Sequence, residues 1–264
     1  MKIIKILQVV ATHLPPQQVR HHLEYLEFIT PGIPRLVAYG GPFEHFQQLG
    51  IENAIFLENP LLRGPMVYQC FNELPGKTVR YMEERNLSCD LIHVTEYDHI
   101  ILSRSYFHDL AEIFEKSKCD YLGQGGNLKT NSNWPFYLRH RDDEEFLDYL
   151  SQISIREDKT AMYGVLLNGY VLTTQIFHAI AALPQLPIVF GELLFPTIAH
   201  HLGYKIGDLD TYSDLFRYNR YRPIWNKAEV MQMVSNGEIA VHPFKDYGAL
   251  DDLRKLIGAR APAG

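Results

Sequence analysis

Two carboxylates two residues apart, Glu96 and Asp98, follow directly on the apolar run Leu91-Ile92-His93-Val94-Thr95. The run is short, rich in β-branched residues and flanked by polar ones, so it reads as a buried strand rather than a helix. In open α/β sheets ligands gather beyond the carboxyl ends of strands. On extended backbone, residues i and i+2 project to one side, so both carboxylates are expected to address one point. Converging carboxylates suit a hard divalent cation, and such a cation suits a diphosphate. Elsewhere, Glu192 follows Gly191, opens a predicted helix, and is the only acid between Ala161 and Ile206. A carboxylate in such apolar surroundings is a candidate proton acceptor. Solvation of a strand end and a helix-dipole contact are the plain alternatives for these acids.

The elements that must position these groups alternate. Strand-like runs at Ile3–Val10, Arg35–Tyr39, Ala54–Leu57, Leu91–Thr95, Tyr121–Gly123 and Tyr204–Leu209 are separated by helical spacing at Gln17–Ile29, Phe43–Leu49, Tyr106–Lys116 and, as one helix or two, Met66–Arg85. Pro- and Gly-rich residues 59–65 read as a loop, and Gly125–Pro135 as a polar, turn-rich loop at the active site. Further helices are expected at Asp142–Ile155, Thr173–Leu183, Leu193–Leu202 and Ala249–Leu256. The pattern predicts an α/β fold: a mostly parallel, Rossmann-like sheet flanked by helices. With no repeat or linker, residues 1–264 read as a single domain.

Composition narrows the partners. A net charge of -6 argues against nucleic acid, whose phosphates require a basic footprint. The chain lacks a run of about 18 apolar residues, so no transmembrane helix is expected. The opening Met1–Ile6 resembles a first strand more than a signal peptide, and three widely spaced cysteines suggest a reducing, cytoplasmic setting. The paired histidines His21-His22 and His200-His201 diverge on predicted helices and do not suit one metal. Arg217, Arg220 and Arg222 alternate with Tyr218 and Tyr221 in a segment suited to a phosphate or an acceptor glycan, or simply to solvent.

In order, Glu96-Tyr97-Asp98, Leu167-Asn168-Gly169-Tyr170, Gly191-Glu192-Leu193 and Val241-His242-Pro243 resemble the motifs of nucleotide-sugar-dependent glycosyltransferases of the GT-A fold. The resemblance spans roughly residues 3–245, on short motifs, and implies that 1–102 form a nucleotide-binding half and 103–264 an acceptor-binding and catalytic half. It implies a sugar transferred from a nucleotide-sugar donor to a hydroxyl of a glycan or glycoconjugate, with inversion, assisted by Mn²⁺ or Mg²⁺. Glu96, Asp98 and His242 would then hold the metal, and Glu192 would be the catalytic base. Thr12, His13, Tyr39, Gly40, Glu96 and Gly169 would line the nucleotide-sugar site. Two departures stand out: the triplet begins with Glu rather than Asp, and Glu192 is followed by Leu193 where an acidic pair is usual. A non-catalytic nucleotide- or sugar-binding protein and a nucleotidyltransferase are the competing readings. The second would require a glycine-rich basic loop after the first strand, which Ala11-Thr12-His13-Leu14-Pro15 does not supply.

Overall fold

The computed structural model describes residues 4–58, 66–130 and 132–260. The first half alternates regularly: β1 (Ile6–Thr12), α1 (Pro16–Ile29), β2 (Arg35–Tyr39), α2 (Phe43–Gln48), β3 (Ala54–Phe56), α3 (Met66–Glu84) and β4 (Leu91–Glu96). Then come β5 (Ile100–Ile101), α4 (Tyr106–Ser117), β6 (Tyr121–Gly123), β7 (Asn127–Leu128), α5 (Pro135–His140), α6 (Glu144–Ile153), β8 (Tyr163–Gly164) and β9 (Tyr170–Thr173). The chain closes with α7 (Thr174–Ala181), α8 (Gly191–His201), β10 (Ile206–Asp208), α9 (Lys227–Asn236), β11 (Ala240–Val241) and α10 (Leu250–Arg260).

Seven strands form the central sheet in the order β10-β6-β9-β4-β1-β2-β3. All run parallel except β9, which is antiparallel to both β4 and β6. The sheet grows outward from β1 through β2 to β3. After α3 the chain returns to the other side of β1 and lays down β4. The junction of β1 and β4 is therefore the topological switch point, beyond whose carboxyl ends ligands gather in open α/β sheets. Register places Ala11 opposite Glu96 at that edge.

Period-two alternation on buried strands separates two cores. Ile6, Val10 and Leu91 face one side and pack with Leu26 and Ile29 of α1, Phe107 and Leu110 of α4, Val230 of α9 and Leu253 of α10. Leu7, Val9, Ile92 and Val94 face the other, with Leu74 of α3, Phe146 of α6, Ile176 of α7 and Leu194 of α8. Complete burial of such a side chain stabilises by about 1.5–3 kcal/mol, so both faces hold the β1–β4 junction firmly. Among the described residues no helix is long and apolar enough to cross a membrane.

The architecture matches the expected mostly parallel sheet, with differences of detail. Helix α3 is single and continues through Pro75. The predicted loop 59–65 lies outside the described residues. The segment Gly125–Pro135 is partly structured, because β7 pairs with β8. Helix α8 begins at Gly191, two residues early, which places Glu192 inside its first turn. Helices α5 and α9 are not anticipated from sequence.

Candidate functional site

Strand β4 ends at Glu96, whose side chain alternates onto the face of Ile92 and Val94. The expectation of extended backbone through Asp98 does not hold. Tyr97 and Asp98 form a turn, closed by the His99 N–H donating to the Glu96 carbonyl at 3.1 Å. The turn, rather than strand alternation, brings the two carboxylates together. Strand β5 then pairs antiparallel with β11, aligning Ile100 with Val241 and setting His242 beside the turn. The Phe244 N–H donates to the Asp98 carbonyl at 2.9 Å and secures this docking.

One oxygen each of Glu96 and Asp98 and one imidazole nitrogen of His242 lie within 4.8 Å of one another. His242 Nε2 is 3.2 Å from Asp98 Oδ1 and 3.7 Å from Glu96 Oε2. On the far side of the ring, Nδ1 donates to the Arg220 carbonyl at 3.1 Å, and the Asn168 side-chain amide is 3.0 Å away. A backbone carbonyl on one imidazole nitrogen fixes the ring and aims the other nitrogen at a ligand position. Lys245 Nζ approaches Asp98 Oδ2 at 3.3 Å and donates to the Tyr97 hydroxyl at 3.2 Å.

These groups set each other's protonation. Burial pushes the His242 imidazole down, but Asp98 and Glu96 outweigh it and raise its pKa to about 9. Burial pushes the Asp98 carboxyl up, but His242 and Lys245 hold it below the usual carboxylate range. The resting cluster thus pairs the Asp98 carboxylate with an imidazolium and an ammonium. Asp98 Oδ1 is buried and has only the ionic contact with His242 Nε2 at 3.2 Å, with no hydrogen bond that would occupy its remaining lone pairs. Two carboxylates and one imidazole fit a divalent cation accepting oxygen and nitrogen donors. His242→Ala is expected to weaken Mn²⁺ binding at least about tenfold while the protein stays folded. Calorimetric titration checks this, and an unfolded variant would make His242 structural.

No protein-family model and no curated protein matches this chain. What the site does must be read from its own atoms.

Glu192 enters the same neighbourhood from the first turn of α8. Its Oε1 accepts the Leu167 N–H at 3.2 Å. Burial raises the carboxyl to about 8; the Leu167 N–H opposes this, Glu96 adds to it, and His242 and Lys129 oppose it. Lys129, just after β7, donates to the Gly125 carbonyl at 3.1 Å. Burial lowers its pKa, while Asp208 and Glu192 raise it. Glu192 is therefore a carboxyl of unusually high proton affinity in electrostatic contact with the cluster.

The remaining expected residues divide into those facing the cluster and those shaping its walls. His13, just beyond β1, places its ring edge-on to Tyr97 at 4.6 Å, and its buried Nδ1 has no partner. Burial and Lys245 push its pKa down, while Asp98 and Glu96 push it up. Thr12 is buried, and its hydroxyl accepts the Leu14 N–H at 3.2 Å. Tyr39 is buried and donates to the Leu14 carbonyl at 3.1 Å, while the Gly40 N–H donates to the Thr12 carbonyl at 2.8 Å. Thr12, Tyr39 and Gly40 fix the bend after β1.

Gly169 is likewise a wall residue. It has φ +105°, and a Cβ there would meet Phe216 Cζ at 2.8 Å and His99 Cε1 at 3.0 Å. Its neighbour Asn168 is the residue that reaches His242. Gly169→Ala combines backbone strain with overpacking and is expected to destabilise by about 2–4 kcal/mol. Thermal denaturation checks this; an unchanged midpoint would contradict the tight packing.

Asn168, Lys129 and Lys245 have no individual role in the sequence reading, although Asn168 belongs to the motif Leu167–Tyr170, Lys129 to the expected active-site loop Gly125–Pro135, and Lys245 follows His242 by three residues. The paired histidines behave as expected of divergent helix positions. His21 reaches Asp251 at 3.2 Å, while His22 is buried. His201 donates to the Ala161 carbonyl at 2.9 Å, and His200 packs against the Tyr163 ring at 4.5 Å.

Proposed function

We propose that this protein is a metal-dependent glycosyltransferase of GT-A type. It moves a sugar from a nucleotide-sugar donor to a hydroxyl of a glycan or glycoconjugate. The observation that carries this reading is the convergence of Glu96, Asp98 and His242 at the β1–β4 switch point. Mn²⁺ is favoured over Mg²⁺, since one of the three donors is an imidazole. The bound cation would supply positive charge to the leaving diphosphate.

The chain's own groups complete the task. Asp98 and His242 hold the cation, with Glu96 as a third ligand or a contact to ribose. Lys245 places a fixed positive charge beside Asp98, where diphosphate oxygens would arrive. His13 lies just beyond β1, on the side of the switch point where the nucleotide is expected. Glu192 accepts the proton of the attacking acceptor hydroxyl, and the Leu167 N–H orients its carboxylate. Neutralising Glu96 removes one of the causes that keep Glu192 protonated, so donor binding and readiness of the base are coupled.

The test is nucleoside diphosphate release from a panel of nucleotide sugars, with mixed saccharide acceptors, in Mn²⁺ and in chelator. Acceptor-stimulated release that the chelator abolishes is expected. Release indifferent to the metal would count against this reading, and donor binding without release in any combination would favour a binding protein.

A further inference from the structure

The arginine- and tyrosine-bearing segment 217–225 is not used by the chemistry above, yet it is fastened to the segment that carries His242. Isolated parallel bridges join Asn219 to His242 and Trp225 to Phe244. The Arg220 N–H donates to the His242 carbonyl and the Trp225 N–H to the Pro243 carbonyl, both at 3.0 Å. The Trp225 indole N–H donates to the Tyr218 carbonyl at 2.9 Å. Asn219 Nδ2 donates to the Asn168 carbonyl at 3.3 Å. So many bonds make the segment a strap of fixed shape. Its tip, residues 221–224, stands in solvent, with Tyr221 85% exposed.

The charges on the strap are not balanced. Glu238 neutralises Arg217 through a paired contact, with 2.9 Å between Nε and Oε2. Among the described residues, neither Arg220 nor Arg222 has a carboxylate within ion-pair distance. Arg220 lies 3.0 Å over the Trp225 ring and donates to the Pro223 carbonyl at 2.6 Å. The Arg222 guanidinium is 5.7 Å from the Tyr221 ring centre. The strap meets His242 on its Nδ1 side, while Nε2 faces the carboxylates. The backbone of Arg220 therefore borders the cluster on the face of the ring turned away from the carboxylates, and leaves the Nε2 side free for a cation.

We infer that this strap binds the acceptor, and that the acceptor is a saccharide bearing an oxyanion, either a carboxylate or a phosphate. This rests on the functional reading above. A guanidinium fork matches either oxyanion in a bidentate manner. The exposed Tyr221 ring offers a flat apolar face to a sugar ring beside it. In a chain of net charge -6, two cations without acidic partners among the described residues, on a strap fastened to the His242 segment, are an economical way to select an anionic substrate.

The test uses the full chain and an array of neutral, uronic-acid-containing and phosphorylated oligosaccharides, followed by calorimetry. Arg222→Gln and Tyr221→Ala change exposed side chains and should leave folding intact. Selective retention of anionic glycans is expected, weakened by salt and reduced about tenfold or more in either variant. The carboxylated and phosphorylated arms show which oxyanion is read. Equal binding of neutral and anionic glycans, no glycan binding, or anionic binding that survives both substitutions would overturn the proposal. Mn²⁺-dependent binding of nucleoside diphosphates is measured in parallel. Its absence alongside strap-dependent glycan binding would remove the transferase reading and leave the strap standing.

Discussion

Glu192→Gln is expected to leave donor binding close to normal and to lower sugar transfer by about two to four orders of magnitude. The substitution preserves side-chain length, and an amide oxygen can still accept the Leu167 N–H that holds Oε1 at 3.2 Å. What it removes is the ability to take a proton. A second effect follows from the raised pKa of the same carboxyl. Its folded value is about 8 against an ordinary 4.5, so the native state binds more protons between those limits. This contribution to stability is fully present below about pH 4.5 and is lost as pH rises through about 8. Glu192→Gln should thus match the parent's unfolding free energy in acid and exceed it above pH 8, by about 1–3 kcal/mol after allowance for relaxation of the site. Transfer at the parental rate would exclude Glu192 as the base. A stability difference that did not vary with pH would show that its carboxyl is not strained by burial.

Asp98→Ala should abolish cation-dependent nucleotide binding, with affinity falling by more than about a hundredfold. Asp98 is 4% exposed and lies between His242 at 3.2 Å and Lys245 at 3.3 Å. Removing it takes away an anionic donor and leaves two cationic groups facing each other. Loss of one member of a buried ion pair costs about 3–5 kcal/mol, so the thermal midpoint should drop as well. Asp98→Asn keeps the shape, loses the charge, and separates the two effects: folding should be nearer normal while cation binding remains lost. Mn²⁺ titration of both variants, with circular dichroism as a check on folding, reads this out. Unchanged binding in the folded Asn variant would remove Asp98 from the site.

Much of the scaffold was legible because its boundaries are local. Strand β2 is bracketed by Pro34 and Gly40. The triplet after β4 announces itself because an apolar run ends abruptly in acids. Helix α9 carried local signals too: a capping box from Asn226 and Glu229, and a left-handed Gly237 at its end. Only Val230, Met233 and Val234 face inward, so its apolar periodicity is thin. The reversed direction of β9 and the meeting of Asn168 with His242 have no local signature. They arise when distant segments dock, and spacing along one chain does not encode them. The turn at Tyr97-Asp98 teaches the same lesson at short range. The two acids do converge, but a hydrogen-bonded turn achieves it rather than strand geometry.

The most direct test of the central claim is calorimetric titration of the wild-type protein with a panel of nucleoside diphosphates, in Mn²⁺ and in chelator. Binding of at least one nucleoside diphosphate is predicted in Mn²⁺, lost in chelator and lost again in Asp98→Asn. Equal affinity with and without the cation, or no nucleoside diphosphate bound in its presence, would contradict the assignment of Glu96, Asp98 and His242 as a diphosphate-presenting metal site.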